Sequence, residues 1–345
     1  MRIGVMPEGL RDRAVLQSRR FPQPVFDVMG MMLFSRAVMA GVRFSVFDRL
    51  VSGPRTAAEL AAEAGCDAHG MTLLVDALVA CRYLEPAGNR YRNSPLGEWL
   101  VSHGPQTLAN FVRFNYDQWE WIGHLEEFIQ SGRGRNIHER LHGPEWRTYL
   151  LGLEDLARLS APALVAKLKL GPTPRSLLDL GGGHGYYSIA LCRRHPALRA
   201  TVVDLEAAAA VGRERVTEAG LSERIEFRPG NLKDTPFGEN HDAALVFNLL
   251  HHLDEPTCRA TLHRLHDALA PAGKLAVWET FREERSRRHR DQLGSLMALF
   301  FGVASGRETY EFEQVADWVR AAGFRQVRRE KLRTAPFAGL LLAEK

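Results

Sequence analysis

The segment 176–185 reads Ser-Leu-Leu-Asp-Leu-Gly-Gly-Gly-His-Gly, and it decides the fold of the chain. Its first five residues form a mostly apolar run that predicts a buried strand. Gly181, Gly183 and Gly185 then allow a sharp turn and a close approach of the backbone to a ligand. A helical pattern of apolar residues follows the last glycine. Strand, glycine turn and helix together predict the first βα unit of a parallel sheet.

The same alternation continues to the end of the chain, and we assign residues 171–345 to one α/β domain of the Rossmann-like class. Apolar runs predict strands at 176–180, 200–205, 225–228, 243–247 and 274–279. Two later runs, at 326–331 and 337–344, can pair as a terminal hairpin. In such folds, ligands bind at the carboxyl edge of the parallel strands.

An acidic residue at the end of the second strand indicates what the glycine turn binds. Asp204 lies 19 residues beyond Gly185, where a carboxylate can accept hydrogen bonds from both hydroxyls of a ribose. Asp179, just before the glycines, can face an ammonium group, and the N-terminus of the next helix favours a carboxylate. A G-x-x-x-x-G-K-[ST] phosphate loop is absent, and G-x-G-x-x-G fits poorly because Tyr186 or Ser188 takes its last position. The pattern therefore favours a ligand without phosphates.

The front of the chain has a different pattern. We assign residues 1–24 to an N-terminal arm and residues 25–104 to a mostly helical winged-helix domain. Thr56 and Glu59 form a capping box that begins a short helix, Asp67 caps the next helix, and a β-hairpin follows at 83–92. Residues 105–170 are expected to form connecting helices rich in aromatic side chains.

Composition and charge narrow the class of protein. The net charge is +4, from 45 basic and 41 acidic residues, so nothing demands a polyanionic partner. The four cysteines are far apart and form no C-x-x-C pair, which argues against a zinc site and a disulfide framework. The apolar run at 296–304 is too short to span a membrane, and no secretory signal is visible. We expect a cytoplasmic protein with neither nucleic acid nor membrane as a partner.

These motifs resemble those of the small-molecule O-methyltransferases, a family that includes plant caffeate-type and bacterial polyketide-tailoring enzymes. The resemblance runs from about residue 26 to the C-terminus. Its carriers are Leu-Asp-Leu-Gly-Gly-Gly-His-Gly at 178–185, Val-Val-Asp-Leu at 202–205, Gly-Asn at 230–231, Leu-Leu-His at 249–251 and Gly-Arg-Glu at 306–308. It implies a class I Rossmann-like methyltransferase sheet, a winged-helix dimerisation domain, S-adenosyl-L-methionine as cofactor and an intertwined homodimer.

The resemblance also implies roles for residues at the cofactor site. Asp204 would hold the ribose, and Asn231 would lie near the adenine, where the family usually has aspartate. An asparagine side chain can both donate and accept a hydrogen bond there. Besides Asp179 and the glycines, we expect Leu205, Leu232 and Asn248 to line this site.

A phenolic methyl acceptor needs a base, because the pKa of a phenol lies near ~10. His251 follows the fourth predicted strand and aligns with the catalytic histidine of the family, so we expect it to be that base. Glu279 and Glu308 align with the acids that orient it. The family commonly has His-Asp-Trp here and a lysine four residues earlier, whereas this chain has His-His-Leu at 251–253 and Phe247. A structural role for one or both histidines is therefore the alternative.

The acceptor pocket is expected between the aromatic helices before the Rossmann-like domain and the apolar segment 293–303. Its expected lining is Trp119, Trp121, Met297, Phe300 and Phe301, each of which could instead belong to an ordinary core. Together they fit a flat, apolar acceptor, and a dry pocket favours a reaction in which opposite charges cancel. No Asp–Asp–Asn cluster of the kind that holds magnesium is evident, so we expect no metal.

Two other functions stay open. The altered motif around His251 leaves room for N- or C-methylation, or for an offshoot that uses the cofactor without methyl transfer. A winged-helix regulator that senses a small ligand is a different class of protein. Its recognition helix would be 67–82, which has almost no basic residues to meet phosphates. The sequence therefore favours an enzyme that methylates a hydroxyl of a small aromatic molecule.

Overall fold

The structure is a computed structural model that describes residues 7, 9–18, 21–104, 106–282, 292–332 and 338–345 of the 345-residue chain. These residues belong to two compact units, Met1–Asp117 and Gln118–Lys345. The expected arm at 1–24 is described in part. Residue 337, the predicted start of the last strand, lies outside the described residues.

The first unit is mostly helical. Its elements are α1 (Leu10–Gln17), α2 (Gln23–Val25), a π turn (Phe26–Gly30), α3 (Met31–Arg43), α4 (Val46–Arg49), α5 (Ala57–Ala64), α6 (Ala68–Ala80), the hairpin of β1 (Leu84–Ala87) and β2 (Arg90–Asn93), and a 3-10 turn (Gly97–Leu100). The next helix, α7 (Ala109–Ile122), spans the division between the units. Buried side chains such as Phe47, Leu60 and Leu78 form the core of this unit.

Local hydrogen bonds explain where α5 and α6 begin. The Glu59 amide donates to the Thr56 hydroxyl at 3.2 Å, and the Thr56 amide donates to the Glu59 carboxylate at 2.7 Å. The predicted capping box is thereby confirmed. The Gly70 amide donates to the Asp67 carboxylate at 2.8 Å, so Asp67 caps α6 as predicted. Two helices followed by a hairpin is the order that the sequence predicts.

One helical stretch in this unit is long and apolar. The helix from Gln23 to Arg43 spans 21 residues with a mean hydropathy of 1.5, enough to cross a membrane by length and composition alone. Asp27 and Arg36 interrupt the apolar run, yet apolar residues recur through it at helical spacing. Large side chains including Leu33 and Phe34 are exposed along it. A contiguous apolar face of this kind marks a surface that another molecule covers.

The second unit contains the predicted sheet. Its strands are β3 (Ser176–Leu180), β4 (Arg199–Asp204), β5 (Ile225–Pro229), β6 (His241–Phe247), β7 (Leu269–Glu279), β8 (Arg325–Glu330) and β9 (Gly339–Glu344). The strand order is β5-β4-β3-β6-β7-β9-β8. Strands β3 to β7 pair in parallel, whereas β9 is antiparallel to both β7 and β8, so the predicted terminal hairpin is confirmed.

Helices cover both faces of this sheet. The helices of this unit are α8 (Leu125–Ser131), α9 (Ile137–Arg140), α10 (Pro144–Lys167), α11 (Tyr186–Arg194), α12 (Glu206–Glu218), α13 (Glu255–Ala268), α14 (Gln292–Ser305) and α15 (Phe312–Ala321), with a 3-10 turn at Leu250–His252, and α10 to α13 and α15 pack on the sheet. On β3, Leu177 packs into one core with α10 and α11, and Leu178 packs into another with α13 and α15. The carboxyl ends of β3, β4 and β6 therefore meet at one edge, which carries the glycine turn, Asp204 and the turn that contains His251.

Candidate active site

The glycine turn follows β3 at the carboxyl edge of the sheet. Gly181 and Gly183 have φ angles of +70° and +46°, which residues with a side chain rarely adopt. A Cβ at Gly183 would lie 2.9 Å from Cδ2 of Leu150, and one at Gly181 would lie 2.9 Å from Cδ1 of Leu249. Gly185 directly precedes α11, whose N-terminus favours negative charge. The turn therefore excludes side chains and presents bare backbone to a ligand.

Asp204 ends β4 beside this turn. Its carboxylate accepts hydrogen bonds from the amides of Gly183 and Leu205, both at 2.7 Å. A carboxylate has about four acceptor positions, so it can take further donors. Burial raises the pKa of Asp204 to about 6, although the two amide bonds act in the opposite direction. The side chain is only partly buried, which leaves it within reach of a ligand.

Asp179 lies beneath the turn. It is 1 % exposed, and its carboxylate accepts a hydrogen bond from the Ser188 hydroxyl at 2.6 Å. Burial raises the pKa of Asp179 to about 6, and the charge of Asp204 adds to the rise. A Cβ at Gly182 would lie 2.7 Å from its Cγ, so the turn packs directly on this carboxyl group. A contact between Asp179 and the ammonium of a ligand stays a prediction.

Four other residues predicted at the cofactor site lie at the ends of neighbouring strands. Asn231 follows β5, is exposed, and accepts a hydrogen bond from the Lys233 amide at 3.0 Å. Leu205 is 37 % exposed, and Leu232 is half-buried against the core under α13 and α15. Asn248 is exposed directly after β6. The sheet brings these strand ends to one edge, and contact of each side chain with the cofactor stays a prediction.

His251 lies in the 3-10 turn after β6. Its Nδ1 is 2.7 Å from Oε2 of Glu279, the last residue of β7. Oε1 of Glu279 accepts hydrogen bonds from the amides of Leu249 and Leu250, both at 2.7 Å. This arrangement fixes the carboxylate, favours the proton on Nδ1 and leaves Nε2 as an acceptor. Within the described part of the chain, no hydrogen-bond partner for Nε2 is found.

The second predicted orienting acid has another partner. Glu308 is exposed after α14, and its carboxylate forms an ion pair with Arg282. Arg282 lies three residues beyond Glu279 and offers Glu308 an opposite charge. In this structure Glu279 rather than Glu308 is the acid bonded to His251, which differs from the pair of orienting acids that we expected.

Aromatic rings connect α7 to the proposed base through successive contacts. The ring centroids of Trp121 and Phe300 are 6.3 Å apart, and those of Phe300 and Phe301 are 5.4 Å apart. Phe301 stacks on the His251 ring at 3.8 Å, with 27° between the planes. Of the five residues predicted to line the acceptor pocket, Phe301 therefore contacts His251, and Phe300 and Trp121 follow it in a row of ring contacts.

The other two predicted lining residues, Met297 and Trp119, are not part of this row of ring contacts. Met297 is half-buried on α14, one helical turn before Phe301 and on the same side of the helix. Trp119 leaves 43 % of its surface exposed, whereas Trp121 leaves 8 %. Positions two apart on a helix point in nearly opposite directions, so the two tryptophans cannot share one lining. A role in acceptor binding stays a prediction for all five residues.

The row of rings continues through residues that the sequence analysis did not place in the site. The His252 ring lies 4.2 Å from His251 and 4.5 Å from His138, a residue of α9. His138 stacks on Trp146 of α10 at 5.7 Å, and its Nε2 is 3.1 Å from the Tyr149 hydroxyl. Apart from its aromatic character, nothing in the sequence marks His138, because α9 is four residues long and shows no periodicity.

These added histidines are neutral near pH 7. Burial lowers the pKa of His138 to about 4, and the neighbouring His251 adds to the fall. Burial also lowers the pKa of His252 well below its usual value. Across the residues that the structure describes, no group of three or more His, Cys, Asp or Glu side chains is placed to hold a metal ion.

Two family models match the chain, one for each part. Residues 121–325 match an O-methyltransferase domain, and residues 26–103 match an O-methyltransferase dimerisation domain. Over 304 residues the chain is 29 % identical to 3-hydroxy-5-methyl-1-naphthoate 3-O-methyltransferase of Streptomyces sahachiroi, which covers 85 % of this chain and 87 % of that protein. It is 28 % identical to the N,N-dimethyltransferase OxyT of Streptomyces rimosus, over 86 % of this chain and 89 % of that protein.

A solved structure has the same fold. Human N-acetylserotonin methyltransferase, in complex with S-adenosylmethionine, superposes with a TM-score of 0.82. The match covers 95 % of this chain and 98 % of the human chain at 23 % sequence identity. The similarity thus extends over both units of the chain.

Proposed function

The chain belongs to the O-methyltransferase family, whose members use S-adenosylmethionine, and from that premise we propose that it methylates a hydroxyl of a small aromatic molecule with His251 as general base. The observation that carries this proposal is the bond between His251 and Glu279. It leaves Nε2 as an acceptor beside the Phe301 ring. A general base needs such an acceptor within hydrogen-bond reach of the hydroxyl.

The residues at the edge of the sheet fit the cofactor. The Asp204 carboxylate, after its two amide bonds, has acceptor positions left for ribose hydroxyls. The N-terminus of α11 suits a methionyl carboxylate, and Asn231 and Leu232 would lie by the adenine. When bound, S-adenosylmethionine supplies an electrophilic methyl group.

The histidine and the rings around it would supply the rest of the chemistry. Nε2 of His251 takes the proton of the acceptor hydroxyl, which makes the oxygen a better nucleophile. The Glu279 carboxylate stabilises the imidazolium that results, because it already accepts a hydrogen bond from Nδ1–H. Phe301 shields one face of the imidazole. Exclusion of water favours methyl transfer, because less solvation is rearranged as opposite charges cancel.

A flat aromatic acceptor is supported by two observations. The rings of Trp121, Phe300 and Phe301 form successive contacts that lead to His251. The Streptomyces sahachiroi relative is named for methylation of a hydroxyl on a naphthoate. The test is incubation with isotope-labelled S-adenosylmethionine and a panel of phenols and hydroxylated polyketide-type aromatics, read by mass spectrometry. We expect one labelled methyl on oxygen, and label on nitrogen or carbon alone would contradict the proposal.

N-methylation is the second candidate, and one comparison favours it. The N,N-dimethyltransferase of Streptomyces rimosus is similar over nearly the same length of chain and at nearly the same identity. A neutral amine is nucleophilic without losing a proton first, so it makes little demand on His251. An aromatic amine in the same panel separates the two functions.

We also propose that the exposed apolar face of Gln23–Arg43 is covered by a second copy of the chain. The match to a dimerisation domain begins at residue 26, inside this helix. Burial of Leu33 and Phe34 between two copies would remove apolar surface from water. Light scattering at micromolar concentration should give the mass of a homodimer, and a monomer mass would refute the assignment.

A further inference from the structure

The acceptor side of the site holds more polar groups than one general base needs. The ring contacts continue from His251 through His252 to His138, and the Tyr149 hydroxyl bonds His138. The proposed reaction uses only His251 and Glu279. The pairing of His138 with Tyr149 therefore calls for a separate explanation.

His252 acts as a spacer in this row. Its Nδ1 is sealed inside the protein and has no hydrogen-bond partner among the described residues. The planes of the His252 and His138 rings are at 84° to each other, a T-shaped contact. His252 therefore contacts both the ring of the proposed base, His251, and the ring of His138.

His138 is held in place by two contacts of different kinds. Its Nε2 is 3.1 Å from the Tyr149 hydroxyl, and its ring stacks on Trp146 with 24° between the planes. Its Nδ1 forms no hydrogen bond with another described residue, yet it is not sealed as Nδ1 of His252 is. A half-buried polar atom without a partner costs free energy unless a ligand or water meets it. Nδ1 is therefore a fixed polar group available to a ligand.

We propose that His138, positioned by Tyr149, is a specificity residue that hydrogen-bonds a second oxygen of the acceptor, next to the hydroxyl that is methylated. This inference rests on the proposed function, because it assumes an aromatic acceptor with its hydroxyl at His251. A neutral imidazole offers a donor or an acceptor but no charge, so it suits a hydroxyl or carbonyl oxygen. The substrate class is then an aromatic molecule with two oxygen substituents on adjacent positions.

The test compares two probes that differ by one hydroxyl, 2-naphthol and 2,3-dihydroxynaphthalene. Their affinities are measured by calorimetry on protein saturated with S-adenosylhomocysteine, so that no turnover occurs. We expect the preference for the diol to fall by about threefold to tenfold in His138→Phe, which keeps a ring but removes both nitrogens. The affinity for 2-naphthol should stay within about twofold, because that probe has no second oxygen.

Further variants separate recognition from structure. His138→Gln keeps a donor and an acceptor and should retain part of the preference. Tyr149→Phe keeps the ring but frees His138, and it should lower the preference without abolishing binding. The matched control is His142→Phe, an exposed histidine in the same segment, which should leave both affinities unchanged. If His138→Phe does not fold, Tyr149→Phe and His138→Gln carry the test, and an unaltered preference in both overturns the inference.

The possible failures can be told apart. Equal losses for both probes in His138→Phe would mean that the residue only supports the fold of the site, which overturns this inference and leaves the proposed function intact. If the wild-type protein binds neither probe while it binds S-adenosylhomocysteine, the aromatic-hydroxyl acceptor itself is refuted.

Discussion

The cofactor edge and the acceptor side of the second unit are assembled from different kinds of contact. At the cofactor edge, the Asp204 carboxylate and the Gly183 amide are 21 residues apart in sequence, one at the end of β4 and the other in the turn after the neighbouring β3. On the acceptor side, Phe301, His251 and His138 come from α14, a 3-10 turn and α9. His138 and His251 are more than a hundred residues apart. The cofactor edge can therefore be predicted from local sequence patterns, whereas the acceptor side forms only when distant segments pack together.

The two sites also differ in charge. The cofactor edge carries Asp204 and Asp179, and burial raises the pKa of each to about 6. The acceptor side is lined by rings, and burial lowers the pKa of His138 to about 4, so that this ring is neutral near pH 7. A ligand with a ribose and an ammonium group suits the first environment, and a flat neutral acceptor suits the second.

The largest effect should come from the acceptor side. General-base catalysis typically contributes about 10²–10⁴-fold, so His251→Ala should lower kcat on a neutral phenol by at least about 100-fold. Affinity for S-adenosylmethionine should stay within about twofold, because the imidazole is bonded to Glu279 and not to the glycine turn. Steady-state kinetics and calorimetry measure the two quantities.

Two matched variants sharpen this test. His263→Ala removes an exposed histidine of α13 and should leave kcat unchanged. His252→Ala should lower kcat much less than His251→Ala, because Glu279 bonds His251 and not its neighbour. Near-wild-type turnover of a neutral phenol by His251→Ala would place the base elsewhere, or would mean that the acceptor needs none.

The difference between the sites explains what the sequence could predict. The strand at Ser176–Leu180 was predicted to the residue, because an apolar run ends at glycines that permit the turn. β7 begins at Leu269, five residues before its predicted start. Leu269 pairs with His241 before an irregularity in the register, and the residues between Leu269 and the predicted start have no apolar pattern that would indicate a strand. The edge that carries Asp204 and His251 follows from the order of strands and helices. A parallel sheet needs nothing more to bring those ends together.

Residues without a local pattern could not be assigned in this way. His138 is followed by Glu139 and Arg140 on a four-residue helix, which looks like polar surface. Its approach to His252 is purely tertiary. Glu308 was expected beside His251 by resemblance alone, and the structure pairs it with Arg282. Contacts that depend on the packing of distant elements cannot be assigned from the sequence and become visible only in the structure.

The next largest effect should come from the cofactor edge. Asp204→Ala removes a carboxylate that could bind two ribose hydroxyls, and charge-assisted hydrogen bonds are worth about 1.5–3 kcal/mol each. Affinity for S-adenosylmethionine should therefore fall at least about tenfold by calorimetry. At saturating cofactor, kcat should change far less than in His251→Ala. Glu223→Ala, at an exposed acid before β5, is the control, and an unchanged affinity in Asp204→Ala would remove the ribose assignment.

The smallest effect, a pH dependence of cofactor affinity, tests the contrast in charge directly. Because burial raises the pKa of Asp204 to about 6, lowering the pH from 8 to 5.5 protonates most of this carboxyl group, whereas an aspartate near its usual value of ~3.9 would stay ionised. The protonated form accepts weaker hydrogen bonds, so affinity for S-adenosylmethionine should fall by up to about fourfold over this range.

Asp204→Asn should flatten this pH profile of affinity when calorimetry is run at constant ionic strength. If the variant keeps the full fall, the titrating group is Asp179, whose pKa burial also raises to about 6. A wild-type affinity that does not change between pH 8 and 5.5 would show that neither carboxyl titrates there, and the two sites would no longer differ in the way proposed.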